Sequence, residues 1–164
     1  MNNDNDIFEH AMLVSQHLSQ SNRQLVTAES CTGGWIGKAL TDLPGSSRWY
    51  RGGVIVYSNE LKQKLLSVNE ATLSMHGAVS DAVVSEMATG ALQNLGGDIA
   101  VAISGIAGPG GEQLGKPVGT VWIAWAWRHG QAIRSNARLK LFTGDRDAVR
   151  RSSVIAALQG VVEV

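Results

Sequence analysis

The stretch Leu25-Val-Thr-Ala-Glu-Ser-Cys-Thr-Gly-Gly-Trp-Ile-Gly-Lys-Ala-Leu40 decides the fold. Leu25-Val-Thr-Ala28 is a short β-type run that ends at Glu29 and Ser30, and residues 32–40 follow as a helix despite Gly33, Gly34 and Gly37. The same order of strand, sharp turn and helix recurs downstream. Gly53-Val-Ile-Val-Tyr57 reads as a second strand, and Ser58 is an N-cap for a helix over residues 59–66. Upstream, Ile7, Ala11, Val14 and Leu18 recur at helical spacing, so residues 5–20 form an amphipathic first helix.

Val83, Val84, Met87, Ala88, Ala91, Leu92 and Leu95 make a wide apolar stripe, preceded by Ser80 as N-cap and closed by Gly96-Gly97. Asp98-Ile-Ala-Val-Ala-Ile-Ser104 is apolar on both alternations, as a central strand covered on both faces must be, and it runs into a loop at residues 105–117. Residues 118–127 and 132–141 are β-type runs joined by Arg128-His-Gly130, which implies an antiparallel hairpin and therefore a mixed sheet with helices on both sides. In the second run Ile133, Ala137, Leu139 and Leu141 alternate with Arg134, Asn136, Arg138 and Lys140, the pattern of a solvated edge strand guarded by charge. A last helix spans residues 145–160 with Ala148, Ser152, Ile155 and Ala156 inward. Trp122, Ile123, Trp125 and Trp127 read as core or subunit contact.

At 164 residues, without an internal repeat or linker, one domain over 1–164 is expected, burying roughly two-thirds of its unfolded surface. Acidic and basic residues balance at 14 each with no long basic run, which argues against a nucleic-acid partner and for a small molecule. Apolar stretches fall short of the ~20 residues of a membrane span, and the polar start Met-Asn-Asn-Asp-Asn-Asp lacks the features of a signal peptide. Cys31 is the single cysteine, so there is no internal disulfide and no cysteine-rich zinc site. The expectation is a cytoplasmic protein without membrane association, metal or cofactor.

Ser30 lies where a strand gives way to a helix, a place where the N–H groups of Thr32, Gly33 and Gly34 can face a developing oxyanion. The plainer reading is a helix cap with glycines that permit tight packing. A serine nucleophile needs a base, and no histidine is well placed: His10 and His17 belong to the first helix, His76 lies near a helix end and His129 in the hairpin. Lysine is the remaining candidate. Parallel neighbouring strands bring Tyr57 and Lys62 to the sheet edge that carries Ser30, where partial desolvation lowers a lysine pKa; Lys64 is a weaker rival, and an ordinary solvated lysine the alternative. Cys31 competes with Ser30 as nucleophile, since thiols at helix N-termini ionise more readily.

Ser104-Gly-Ile-Ala-Gly-Pro-Gly-Gly111 follows the central strand, and its N–H groups either form a nest for an anion or a carboxamide, or make a flexible connection. Gly110-x4-Gly115-Lys116 imitates a phosphate-binding P-loop, but Pro117 stands where a hydroxyl must hold magnesium and a strand follows where a helix is required. An ATPase is thereby excluded. Arg146, Arg150 and Arg151 gather at the start of the last helix, explained either by an anionic ligand or by pairing such as Asp147 with Arg151.

Six motifs in order, Ala28-Glu-Ser-Cys-Thr-Gly-Gly34, Tyr57-Ser-Asn-Glu-x-Lys62, Gly77-Ala-Val-Ser80, Ser104-Gly-Ile-Ala-Gly-Pro109, Lys116-Pro-Val-Gly-Thr120 and Gly144-Asp-Arg146, together resemble the CinA C-terminal domain family, and more narrowly its stand-alone nicotinamide-nucleotide amidase branch. The resemblance implies a three-layer α/β/α fold with a mixed, mostly parallel sheet of about five strands, like the anticodon-binding domain fold. It implies hydrolysis of the carboxamide of nicotinamide mononucleotide to nicotinate mononucleotide and ammonia, in pyridine-nucleotide recycling. The family's catalytic serine, tyrosine and lysine fall on Ser30, Tyr57 and Lys62. Cys31, Thr32, Gly33, Gly34, Ser104, Gly105, Gly108, Gly110, Gly111 and Arg146 are then the substrate-binding set, with Cys31 in support of Ser30. A homo-oligomer is expected, and the larger N-terminal domain of fused relatives is expected to be absent together with any second activity.

Overall fold

The computed structural model describes residues 4–164; the first three residues of the polar start discussed above lie outside them. Helix α1 (Asp4–Ser21) leads into strand β1 (Leu25–Glu29), helix α2 (Trp35–Thr41), strand β2 (Tyr50–Ile55), helices α3 (Asn59–Leu66), α4 (Glu70–His76) and α5 (Asp81–Leu95), strand β3 (Ile99–Gly105), the hairpin β4 (Thr120–His129) and β5 (Ala132–Leu141), and helix α6 (Arg146–Val161). The sheet order is β2-β1-β3-β4-β5. β1 pairs in parallel with β2 and β3, while β3–β4 and β4–β5 are antiparallel, so β4 alone is reversed and the other four strands point one way.

The chain leaves β1 toward one neighbour and returns past it to the other. Right-handed crossovers then put α2 on one face and α3 to α5 on the opposite face. Loops that diverge in this way leave a crevice at the carboxyl ends of β1 and β3. Because β4 is reversed, its start, the loop after β3, the end of β5 and the start of α6 all gather at that same edge. The fold thus delivers six chain segments to one place.

One face carries the larger side chains, with Leu25, Ile99, Val101, Ile103, Val121, Ile123 and Trp125 packed on α1, α2 and α6. The other presents Ala28, Ala100, Ala102, Ala124 and Ala126, on which α5 rests with α3 and α4. These are the three expected layers. Small residues on the second face let α5 lie close to the sheet, and Gly90 lets α5 lie equally close to the end of α3, for a Cβ there would stand 1.8 Å from the Leu66 carbonyl oxygen. Ser58 and Ser80 cap α3 and α5 through Leu61 N–H and Val83 N–H.

Several boundaries differ from expectation. β2 begins at Tyr50 and stops at Ile55, because its partner β1 ends at Glu29, and Val56 N–H makes the last bond, to the Glu29 carbonyl. α2 starts only at Trp35, since residues 31–34 are needed for a turn. The first hairpin strand is shifted by two residues to Thr120–His129, while the second lies at Ala132–Leu141 as expected, around a Gly130-Gln131 turn. α4 went unforeseen. α6 buries Val149, Ser153, Val154, Ile155, Ala157 and Leu158, so its inner stripe is rotated by about one residue (~100°) from the expected one and only Ile155 is common to both. Ile133 and Ala137 of β5 pack under the α5 layer, whereas Leu139 and Leu141 are exposed. Trp125 is core, its Nε1 donating to the Ala157 carbonyl at 2.9 Å.

Gly90→Ala gains roughly 1 kcal/mol of helix propensity yet forces backbone apart. The expected outcome in urea titration is a net loss of about 1–3 kcal/mol; a stabilised variant would contradict the close approach of α3 and α5.

Candidate active site

Ser30, the first residue after β1, donates its N–H to the Ile103 carbonyl at 3.1 Å and so stays in line with the sheet while the chain turns. Facing it is Lys62, which is only 1% exposed despite its charge-bearing amine. Nζ lies 3.3 Å from Ser30 Oγ and donates to the carbonyls of Val56 at 2.9 Å and Tyr57 at 3.3 Å. The Val56 carbonyl is free because β2 has already ended, and that of Tyr57 because it points away from β1 at the sheet edge. Among the described residues no carboxylate pairs with Lys62. Burial therefore dominates and lowers its pKa from the ordinary 10.5, opposed only by the neighbouring Cys31.

Neutral amines carry two N–H bonds and one lone pair. With both N–H groups held by the Val56 and Tyr57 carbonyls, the lone pair of neutral Lys62 is left facing the Ser30 hydroxyl. This is the geometry of a base and its nucleophile.

Glu29 was not singled out by sequence reasoning, and it shapes the turn. Its carboxylate is 1% exposed and accepts from Thr32 Oγ1 at 2.7 Å and from the N–H groups of Gly34, Ile36 and Gly37 at 3.0, 3.1 and 2.8 Å. The start of α2 is thus occupied by the protein's own anion. Gly33 N–H donates to the Ser30 carbonyl. The expectation that Gly33 and Gly34 face an oxyanion is corrected accordingly; of the turn's amides, those of Cys31 and Thr32 have no backbone partner among the described residues. A sequence signal existed, an acidic residue between the strand and the following helix.

From the other side Arg150 donates to the carbonyls of Cys31 and Thr32 at 3.1 and 2.8 Å and lies over the Trp35 ring. Arg151 pairs with Asp147 at 3.0 Å. These two arginines have intramolecular roles, and no anion is needed to explain them. Cys31 is buried in the apolar layer beneath the turn, and its thiol is pushed up to about 12, first by burial and further by Glu29, against the lowering effects of its own backbone N–H, Arg150 and Lys62. A thiol so held stays protonated at neutral pH. That argues against Cys31 as the nucleophile.

Tyr57 is 59% exposed, and its hydroxyl accepts from Arg146 at 3.2 Å, while Arg146 also donates to the Gly108 carbonyl at 2.6 Å. Its hydrogen bond with Lys62 is made through its backbone carbonyl. Ser104 and Gly105 close β3 beside Ser30, and Gly108 is buried under the Arg146 clasp, but Gly110 and Gly111 sit on the exposed outer turn of the loop. Lys64 is exposed on α3. One cleft of about 520 Å³ is bounded by Gly33, Gly34, Trp35 and Arg150 of the turn, and a second of the same size by Val79, Ser80, Lys116 and Trp122 at the start of α5. Among the described residues no group of three or more His, Cys, Asp or Glu can hold a metal ion, and no helix is long and apolar enough to cross a membrane.

Comparison with known proteins finds that the CinA C-terminal domain model matches residues 8–164. The chain belongs to that family. It is 50% identical over 156 residues to the nicotinamide-nucleotide amidohydrolase PncC of Escherichia coli (strain K12), covering 95% of this chain and 93% of that protein. Against the protein of the same name from Pseudomonas putida the identity is 47% over 154 residues, with 94% of each covered. A crystal structure of a competence-damaged protein (CinA) superfamily member from Klebsiella pneumoniae superposes with a TM-score of 0.90 at 43% identity, covering 96% of both chains.

Burying Lys62 without a counter-ion has a measurable cost. The unfolded chain holds its Nζ proton up to the ordinary value of 10.5, and the folded chain releases it at lower pH, so stability rises with pH across that window. Lys62→Met is expected to melt at or above the wild-type temperature at pH 7 and to lose that pH-dependent gain; thermal unfolding between pH 7 and 10 checks both.

Proposed function

We propose that this chain hydrolyses the carboxamide of nicotinamide mononucleotide to nicotinate mononucleotide and ammonia. The observation that carries the chemistry is the 3.3 Å approach of buried Lys62 Nζ to Ser30 Oγ; the substrate is supported by near-full-length similarity to the PncC proteins. Neutral Lys62 takes the Ser30 proton as Oγ attacks the carboxamide carbon. Cys31 and Thr32 N–H groups face the resulting oxyanion. The lysinium then protonates the leaving nitrogen, ammonia departs, and water releases the acyl group from Ser30 with Lys62 again as base.

Tyr57 and Arg146 frame the mouth of the site. Arg146, with Gly105, Gly108, Gly110 and Gly111 of the loop after β3, holds the ribose phosphate, for which it exchanges its present bonds to Tyr57 and Gly108.

Ammonia release from a panel of nicotinamide mononucleotide, free nicotinamide and other small amides tests this reading. Release from the mononucleotide is expected; tight binding without release would instead mark a ligand-binding module, and turnover of a different amide would reassign the substrate. Ser30→Ala is expected to lower kcat by at least about a thousandfold, while Cys31→Ala keeps kcat within about tenfold; the reverse pattern would make Cys31 the nucleophile. Activity should rise with pH through a single ionisation below 10.5, as Lys62 loses its proton. For Arg146→Ala a rise in KM larger than the fall in kcat is expected, and an unchanged KM would remove it from phosphate binding.

A further inference from the structure

We infer that Ser104 is a further catalytic residue, whose hydroxyl donates to the carboxamide oxygen as it becomes an oxyanion; the inference rests on the amidase reading above. The parallel register that pairs Glu29 with Ile103 continues for one step through the Ser30 N–H bond to the Ile103 carbonyl, which sets Ser30 directly beside Ser104. Ala28 and Ala102, two residues earlier on each strand, both face the α5 layer. Alternation then turns Ser30 and Ser104 to that same face, the face from which α3 brings Lys62.

Ser104 is 2% exposed, yet its hydroxyl makes no hydrogen bond with any described residue. Among the described residues the one side-chain polar atom both shut off from solvent and unbonded is His17 Nε2, so the Ser104 hydroxyl is open to solvent. It lies at the carboxyl end of β3, on the edge of the crevice that the β1/β3 divergence creates. Meanwhile the amides that normally serve an oxyanion at a helix start are held by Glu29. With those amides taken, the Ser104 hydroxyl adds a donor to the N–H groups of Cys31 and Thr32.

The strand order fixes which substrate atom it meets. Lys62 approaches from the β2 side of β1 and Ser104 from the β3 side. Lys62 must protonate the leaving nitrogen, so the nitrogen points toward Lys62 and the oxygen toward Ser104. When the Ser30 Oγ–carbon bond forms, the C=O π pair moves to that oxygen and the Ser30 proton passes to Lys62. Ser104 keeps its own proton and shares it in a hydrogen bond.

The test compares wild type and Ser104→Ala on nicotinamide mononucleotide and on the 4-nitrophenyl ester of nicotinate mononucleotide, whose leaving group needs no proton. Expected is a fall in kcat of about a hundredfold on both substrates, with KM within about threefold, an unchanged melting temperature, and activity largely restored in Ser104→Thr. If Ser104→Ala does not fold, Ser104→Cys, similar in shape with a weaker donor, takes its place in the comparison. Retained kcat, a loss confined to the amide, a rise in KM alone, or a Ser104→Thr variant as impaired as Ser104→Ala each overturns the assignment. Wild type that spares the mononucleotide but cleaves another carboxamide overturns the substrate reading alone, and Ser104 is then scored on that amide and its ester. Wild type that cleaves no carboxamide overturns both.

Discussion

Keeping a lysine amine dry beside a serine hydroxyl, with no carboxylate among the described residues to neutralise it, is the constraint around which this structure is arranged. An ammonium in that position would be strongly disfavoured, so Lys62 is held toward its neutral form by burial. What remains is to satisfy its two N–H bonds with neutral acceptors. The early end of β2 contributes to this, since a ladder continued past Ile55 would have drawn the Val56 carbonyl, whose residue already faces β1 through its N–H, into a bond with that strand.

The nearest negative charge has to be kept from undoing that arrangement. Glu29 is adjacent to Ser30 in sequence, but on a strand adjacent side chains point to opposite faces. Its carboxylate turns to the α2 side and is absorbed by Thr32 Oγ1 and three amides. Arg150 takes the turn's outward carbonyls from the opposite direction. Between them the two charges hold residues 31–34 from both polar ends of the backbone. Gly33 and Gly34 have φ of 62° and 94°, and a Cβ on Gly34 would meet Ile55 at 2.9 Å, so the turn could not be built from ordinary residues at those positions.

The layering beneath the site serves the same end. Alanines on one sheet face and Gly90 on α5 bring α5, α3 and the sheet into close contact. That closeness keeps the α3 lysine almost wholly out of solvent. Bulkier residues at those positions would separate the layers and admit the solvent that Lys62 has to avoid.

The sequence by itself determined the repeating strand-turn-helix order, the central apolar strand, the charged edge hairpin and the placing of Ser30, Tyr57 and Lys62 near one sheet edge, because periodicity and turn chemistry are local properties. Its motifs also pointed to the family. Tertiary structure alone decided that β2 stops two residues early, that α6 is rotated, and that Tyr57 reaches Lys62 through its carbonyl while its hydroxyl goes to Arg146. These outcomes depend on where a partner strand ends and on which distant group competes for a donor. The same holds for the opening segment Leu25 to Leu40. Its residues announced a nucleophile at a helix start, but only the folded chain could show that Glu29 claims the amides of that start, and that Ser104, 74 residues later by their numbers, lies beside Ser30 with its hydroxyl unspent.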